Sequence, residues 1–210
     1  MIEILNYLFE QYSGYSQIDI GLEIFAVIFG FLSVWFSKNN NVLVFPTGLI
    51  NTSIFVYLLL KWDLLGDMII NVYYFIVSIY GWYYWTRKNS KNNYTPISKV
   101  DKNDQKIILI ISIASAIFVS LMYSYFNKWS GMVSYIDILT TSIFFAGMWL
   151  MARRKIESWI FWIIGDIISV PLHLYKGLAF TSFQYFIFTF IAILGYYKWK
   201  SIYNRKNQIA

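Results

Sequence analysis

The sequence predicts an all-α integral membrane protein with seven transmembrane helices in a 3+1+3, parallel-repeat arrangement. Three observations carry that prediction. The chain is 58% hydrophobic and only 13% charged, about half the charged share of a soluble globular domain. Its apolar runs have lengths that suit helices, each close to the ~20 residues needed to cross a bilayer. Polar and aromatic landmarks recur at an offset of 114 or 115 residues.

Seven spans follow from apolar length, at 20–37, 42–60, 64–86, 106–126, 134–152, 157–176 and 179–201. Ahead of them, Met1 to Tyr15 carries two acids and no Lys or Arg. It reads as a short interfacial helix, and its lack of a basic region before an apolar core argues against a cleaved signal peptide. Arg87 to Lys106 is the one long polar linker; elsewhere tight loops make neighbouring spans antiparallel hairpins. The chain divides into an N-terminal segment (1–19), a first three-helix unit (20–86), a cytoplasmic linker with a connecting helix (87–133), a second three-helix unit (134–201) and a tail (202–210).

Loop charges orient the spans. Arg87, Lys88, Lys91, Lys99, Lys102 and Lys106 sit in the third loop, and Arg153, Arg154 and Lys155 in the fifth. Lys198, Lys200, Arg205 and Lys206 close the chain. All fall on one side, which the positive-inside rule makes cytoplasmic. The N-terminus is then outside, and a bacterial cytoplasmic membrane is the expected location. Lys61 faces Asp63 in the second loop and Lys176 ends the sixth span. With the bases confined to short loops, the net charge of +6 is no nucleic-acid footprint.

The repeat shows in pairs. Glu23 and Asp137 open the first and fifth spans, and Trp35 and Trp149 close them, 114 residues apart. Asn51 and Asp166 lie mid-span, 115 apart, as do the span-ending Lys61 and Lys176. Gly81 with Gly195 and Trp85 with Trp199 return to 114. Both copies begin on the same side because the extra span 106–126 turns the chain round between them. Transporters built this way hold their site near the midplane, between the repeats.

Candidate binding residues are the polar groups at that depth. A carboxylate at the bilayer centre is unfavourable by about 2.5–3.5 kcal/mol on insertion scales, so Asp166 must face protein, water or a partner. Trp162 lies one turn earlier on the same face, and an acid beside an indole suits a flat cation. Asn51, at the matching repeat position, either faces Asp166 across the axis between the repeats or bonds a neighbouring helix. Asn71, with Tyr74 one turn on, and Gln184, with Phe188 one turn on, have the same two readings. Asp67 is either a vestibule group or a solvated helix end, the latter fitting its position better. Trp82, Tyr83, Tyr84, Trp85, Trp159, Tyr196, Tyr197 and Trp199 read as an interfacial aromatic belt. Pro171 should bend the sixth span.

Several functions are excluded or disfavoured. With no cysteine, disulfides and thiolate chemistry are absent. His173 is the single histidine, too little for a metal site, and no nucleotide loop or catalytic triad occurs. An enzyme or a cofactor-dependent protein is not expected. A membrane interaction protein without flux is the alternative of a different class.

The stretches GLINTSIF around Asn51, INVYYFIVSIYGWYYW from Ile70, ESWIFWIIGDIISV from Glu157 and YKGLAFTSFQYFIFTFIAILGYYKW from Tyr175 resemble the PnuC family of vitamin transporters. The resemblance spans nearly the whole chain. It implies seven spans, a homotrimer, and facilitated diffusion of nicotinamide riboside drawn inward by intracellular phosphorylation, without ATP or an ion gradient. It maps the family's ligand contacts onto Asn51, Asn71, Trp162, Asp166 and Gln184. Many nicotinamide riboside members carry an amide where this chain has Asp166, and related members carry thiamine. Both vitamins are flat aromatic cations, so the resemblance leaves thiamine as the alternative cargo.

Overall fold

The computed structural model describes residues 16–62, 64–88, 94–176 and 179–209. The interfacial segment expected over Met1 to Tyr15, and Asp63, lie outside them. Seven helices follow in order: α1 (Gln17–Lys38), α2 (Val44–Lys61), α3 (Leu65–Thr86), α4 (Lys102–Tyr125), α5 (Met132–Ala152), α6 (Ser158–Tyr175) and α7 (Ala179–Ile209). Among the described residues, five helices, α1, α2, α4, α5 and α6, are long and apolar enough to cross a membrane by length and composition.

Local signals set the helix ends. Ser16 caps α1 by accepting the Asp19 N–H at 3.2 Å. Asp101 and Asp104 form a reciprocal capping box that starts α4. α1 is followed by Asn40 and α5 by Arg154, both left-handed, with φ of 54° and 61°. These two residues are 114 apart, so the stops after α1 and α5 have the same backbone shape. α6 runs through Pro171 as one helix.

The packing makes a ring. α1 packs on α2, α2 on α3, α3 on α5, α5 on α6, α6 on α7 and α7 back on α1, while α4 packs on α5. α1 and α4 leave most of their apolar side chains exposed: Ile24 and Ile28 on one, Leu109, Ile113 and Leu121 on the other.

At the face that carries the base-rich loops, the two halves are bonded through matched contacts. Trp85 Nε1 donates to the Met151 and Ala152 carbonyls at 3.3 and 3.2 Å. Trp199 Nε1 donates to the Ser37 carbonyl at 3.0 Å. Donors and acceptors are each displaced by 114 residues: the last helix of each half holds the end of the first helix of the other. Ser37 Oγ donates to Met151 Sδ at 3.0 Å, and Arg154 donates to Asn40 Oδ1 from Nε at 3.1 Å and Nη2 at 2.8 Å. Each of those pairs joins residues 114 apart. Gly81 and Gly195 serve the same symmetry. A Cβ on Gly81 would stand 2.3 Å from the Phe45 ring, and one on Gly195 would stand 2.7 Å from the Trp159 ring.

These contacts correct the aromatic belt. Trp82, Tyr83 and Tyr197 are exposed as a belt requires, but Trp159, Trp85 and Trp199 are 1%, 3% and 0% exposed and form the core of this face. An indole that finds a carbonyl can be buried whole, and here the carbonyls lie where α1 and α5 end; Ser37 and Met151 each use a second lone pair, since they also accept the N–H of Asn40 and Arg154.

The third loop is likewise more than a tether. Ser98 N–H donates to the Arg154 carbonyl at 3.1 Å and Ile156 N–H to the Ser98 carbonyl at 3.0 Å. Val100 N–H donates to Glu157 Oε2 at 3.0 Å. Lys155, buried, pairs with Asp104 at 2.6 Å and donates to the Lys99 carbonyl at 3.1 Å. Arg154 donates to the Thr95 carbonyl and lies 4.5 Å over the Trp85 ring. Burial lowers its guanidinium to about 10. Arg153, Arg154 and Lys155, legible in sequence only as orienting charges, clamp the linker across this face.

Candidate binding cavity

A cavity of about 540 Å³ opens on the opposite face, a size that suits a small molecule. Three helices line it with stripes at helical spacing. They are Asp67, Ile70, Asn71 and Tyr74 on α3; Asp137, Thr140, Thr141 and Phe144 on α5; and Ser169, His173 and Lys176 at the end of α6. Phe118, Met122, Tyr123 and Phe126 of α4 close one side, and Tyr185 of α7 completes the inner end.

The mouth is charged. Asp137 accepts from Tyr123 Oη at 2.6 Å and from Lys176 Nζ. Asp67 is within electrostatic reach of Asp137, Lys176 and Lys128. His173 Nδ1 bonds the Ser169 carbonyl at 2.8 Å, and its ring lies 4.8 Å from Tyr185. The corresponding helices of the first half carry an equivalent pair, Lys61 with Asp19 at 2.6 Å. Lys61 is therefore bonded to the start of α1, across its own three-helix unit.

The inner end is aromatic. Phe144 and Tyr185 present nearly parallel rings, 5.7 Å apart at 12°. Gly165 allows this, since a Cβ there would stand 2.4 Å from Phe144 Cε1. Tyr74 lies edge-on to Phe145 at 5.8 Å, and Phe145 is held by the Tyr73 ring at 4.0 Å. Tyr73 Oη donates to the Phe145 carbonyl at 2.9 Å, fixing α3 to α5. Behind these rings Asp166 is 2% exposed, within electrostatic reach of Tyr74 and Tyr185.

The residues singled out in sequence separate into three groups. Asn71 and Tyr74 line the cavity. Asp166 and Trp162 stand behind its inner end, Trp162 with its ring 5.5 Å from Phe144. Asn51, Gln184 and Phe188 do not line it. Asn51 Nδ2 donates to the Ala26 carbonyl at 2.7 Å, joining α2 to α1 where Gly30 leaves room for the amide. Phe188 packs on Phe31 at 5.0 Å, and Gln184 is half-buried on α7 beside Tyr185. Asp67, read in sequence as a solvated helix end, lines the cavity: α3 begins inside the ring of helices at its mouth.

Tyr185, Phe144, Ser169, His173, Asp137 and Lys176 were missed as site residues. A signal existed: Asp166, Ser169, His173 and Lys176 are spaced by three, four and three along α6, a polar stripe on one helical face. Weighing His173 and Lys176 one at a time hid that stripe. Among the described residues no cluster of His and acids could hold a metal ion. The cavity offers aromatic faces, amide and hydroxyl groups, and carboxylates at its mouth and behind its inner end, which together suit a flat, cationic, hydroxyl-bearing molecule.

Residues 20–201 match a family model described as nicotinamide mononucleotide transporter. The nicotinamide riboside transporter PnuC of Escherichia coli (strain K12) is 24% identical over 203 residues, covering 85% of this chain and 84% of that protein. The PnuC of Haemophilus influenzae is 25% identical, covering 90% and 83%. The riboflavin/roseoflavin transporter RibM of Streptomyces davaonensis is 25% identical over 129 residues, 59% of this chain and 58% of that protein. A crystal structure of the vitamin B3 transporter PnuC superposes with a TM-score of 0.65 at 18% identity, covering 97% of this chain and 90% of that one. That structure shares the fold.

Proposed function

Since the chain belongs to the nicotinamide mononucleotide transporter family, a family of membrane transporters for small vitamin-type compounds, we propose that its own cargo is nicotinamide riboside. The observation that carries this is the aromatic inner end of the cavity, Tyr74, Phe144 and Tyr185, with the Asp166 carboxylate behind it. A pyridinium ring stacks on aromatic faces and is drawn toward a carboxylate. The ribose then points to Asn71 and the polar mouth.

Transport is facilitated diffusion by alternating access. Residues 20–86 and 134–201 act as two units that rock about the site, joined by 87–133. Phosphorylation inside the cell keeps the free nucleoside scarce, so its own gradient drives uptake. The base-rich face is cytoplasmic, which makes the cavity mouth external. The protein works as a homotrimer in a bacterial cytoplasmic membrane. Asn51 bonds α2 to α1, and Trp162 supports the aromatic wall through Phe144.

Thiamine is the second reading, favoured by one residue. Asp166 would accept a charge-assisted hydrogen bond from an aminopyrimidine, stronger than the one an amide oxygen could accept. Titration of the purified protein with both vitamins, read by Trp fluorescence, decides between them. Tighter binding of thiamine would overturn the cargo and leave the transporter class intact. Asp166→Asn should weaken the cationic nucleoside by roughly tenfold or more, the value of a charge-assisted contact, and spare an uncharged analogue. Equal loss for both would make Asp166 structural. Labelled nicotinamide riboside should accumulate in liposomes that contain the trapping kinase; no accumulation above empty liposomes would return the protein to the class without flux.

A further inference from the structure

Hydroxyls inside these helices are regularly satisfied by a carbonyl one turn back. Thr52 donates to the Gly48 carbonyl at 2.8 Å, Ser120 to Ala116 at 2.8 Å, Ser142 to Ile138 at 2.8 Å and Thr189 to Tyr185 at 2.9 Å. Ser169 departs from that pattern. It is 0% exposed, and its Oγ has no hydrogen-bond partner among the described residues. Its own carbonyl is already engaged by His173 Nδ1. A buried hydroxyl left without a partner is unfavourable, and such groups are a few per domain at most. Ser169 is also the innermost α6 residue on the cavity wall, so a ligand seated at the inner end lies beside its unpartnered hydroxyl.

Its surroundings say which part of a ligand. Phe144 and Tyr185 give the inner end flat walls, and Tyr74 adds a third ring. The charged and hydroxyl-rich groups, Asp137, Tyr123 and Lys176, are gathered at the mouth. An aromatic ring therefore enters first and a sugar trails toward the mouth. Asp166 lies one turn before Ser169 on the same helical face. A carboxylate accepts but does not donate, whereas a hydroxyl does both. The pair can thus satisfy a ring cation and a ring substituent that both accepts and donates.

Resting on the nicotinamide riboside reading and sharpening it, we propose that Ser169 is a specificity-determining contact whose hydroxyl hydrogen-bonds the carboxamide borne by the substrate's pyridinium ring. Thiamine, the alternative cargo, has no carboxamide-bearing pyridinium, so this contact separates nicotinamide riboside from a flat cation of similar size.

The test is a two-by-two titration of the full chain in detergent, wild type and Ser169→Ala. The ligands are nicotinamide riboside and the same riboside without its carboxamide, with Trp fluorescence as the readout. Ser169→Ala should weaken nicotinamide riboside about tenfold, the value of one hydrogen bond to a desolvated group, and leave the plain pyridinium riboside within about twofold of its wild-type affinity. Ser169→Cys, nearly the same shape but a poor donor, should behave like Ala and guards against a packing artefact. Unchanged binding of nicotinamide riboside by the variants, or equal losses for both ligands, overturns the proposal. Failure of the wild type to bind nicotinamide riboside overturns the cargo reading and this contact with it. Wild-type binding with unaffected variants overturns the contact alone. The melting temperature without ligand should not fall in Ser169→Ala, since no internal bond is lost; a fall accompanied by equal losses identifies a structural serine.

Discussion

The two faces of the molecule are built on opposite plans. At the base-rich face, contacts run between the halves: Trp85 to Met151 and Ala152, Trp199 to Ser37, Arg154 to Asn40. The linker is clamped over them through Asp104 and Lys155. At the opposite face the ion pairs stay inside each half, Asp19 with Lys61 and Asp137 with Lys176, and the cavity opens there. One face holds the halves together; the other has, among the described residues, no such bonds between them and leaves the cavity between α3, α4 and the second half accessible. Rocking would then require the base-rich face to give way as a set of matched bonds, and each of those bonds is a place to test the idea.

The largest effect is expected at the linker clamp. Asp104→Ala leaves the buried Lys155 ammonium without its close partner. Removing one member of a buried pair is destabilising by about 3–5 kcal/mol. Thermal unfolding in detergent should show a fall larger than for any other single change here. A negligible shift would mean that the clamp is not part of the folded core.

Next come the close-packed glycines, which separate stability from binding. Gly195→Ala drives a methyl into the Trp159 ring and Gly165→Ala drives one into Phe144. Overpacking of this kind is unfavourable by about 1–3 kcal/mol. Both variants should melt earlier, but Gly165→Ala alone should also weaken ligand binding, because Phe144 is a cavity wall and Trp159 is not. Loss of affinity in Gly195→Ala of the same size would erase the distinction between the two faces.

A smaller effect is expected from Trp199→Phe, which keeps a ring but drops the N–H that the Ser37 carbonyl accepts. The Ser37 carbonyl keeps its bond from the Asn40 N–H, so the loss is that of one of two hydrogen bonds and should reduce stability by about 0.5–1.5 kcal/mol. Trp85→Phe should do the same at the equivalent joint, and the double variant should lower stability by roughly the sum of the two if the joints act independently. A double variant no worse than either single one would show that the two indoles form one cooperative seal, which their ring separation of 5.5 Å permits.

Much of this plan was legible in the sequence. Apolar length placed seven helices, because backbone groups in a bilayer must be satisfied within a helix; the bounds agree within a few residues except at the end of α7, which continues through the expected tail to Ile209. The 114-residue offset anticipated Trp85 with Trp199 and Gly81 with Gly195, because matched helices meet matched neighbours. What those residues do was not legible. An indole at a helix end looks the same in sequence whether it faces lipid or a carbonyl of another helix. Arg153, Arg154 and Lys155 carried an orientation signal that hid their role in holding the linker, since charge counts carry no information on partners. The cavity was half legible: Asn71, Tyr74 and Asp166 stood out as costly or unusual at their depth. Ser169, Phe144 and Tyr185 are ordinary membrane residues whose meaning comes from where the helices cross.

The smallest effect belongs to the ion pairs at the open face, and it sharpens the comparison from the other side. Lys61 is almost half exposed, whereas its partner Asp19 is 3% exposed and also accepts from the Ser16 hydroxyl, a bond that survives loss of the ammonium. A pair whose cation stands in solvent is partly screened by salt, and a Gln at 61 can still donate to the carboxylate. Lys61→Gln should therefore leave the melting temperature nearly unchanged, and high salt should remove whatever difference remains. Lys176→Gln is different in kind. Its partner Asp137 lines the mouth and also accepts from Tyr123, so removing the ammonium leaves an extra uncompensated negative charge where a cationic ligand enters. Stability should again change little, while the association rate of a cationic ligand should rise at low salt and return to the wild-type value at high salt. Stopped-flow Trp quenching across an ionic-strength series measures this directly. If the two lysine variants proved indistinguishable, the mouth would be electrostatically equivalent to the matching corner of the first half, and the asymmetry between cavity and counterpart would have to come from the aromatic inner end alone.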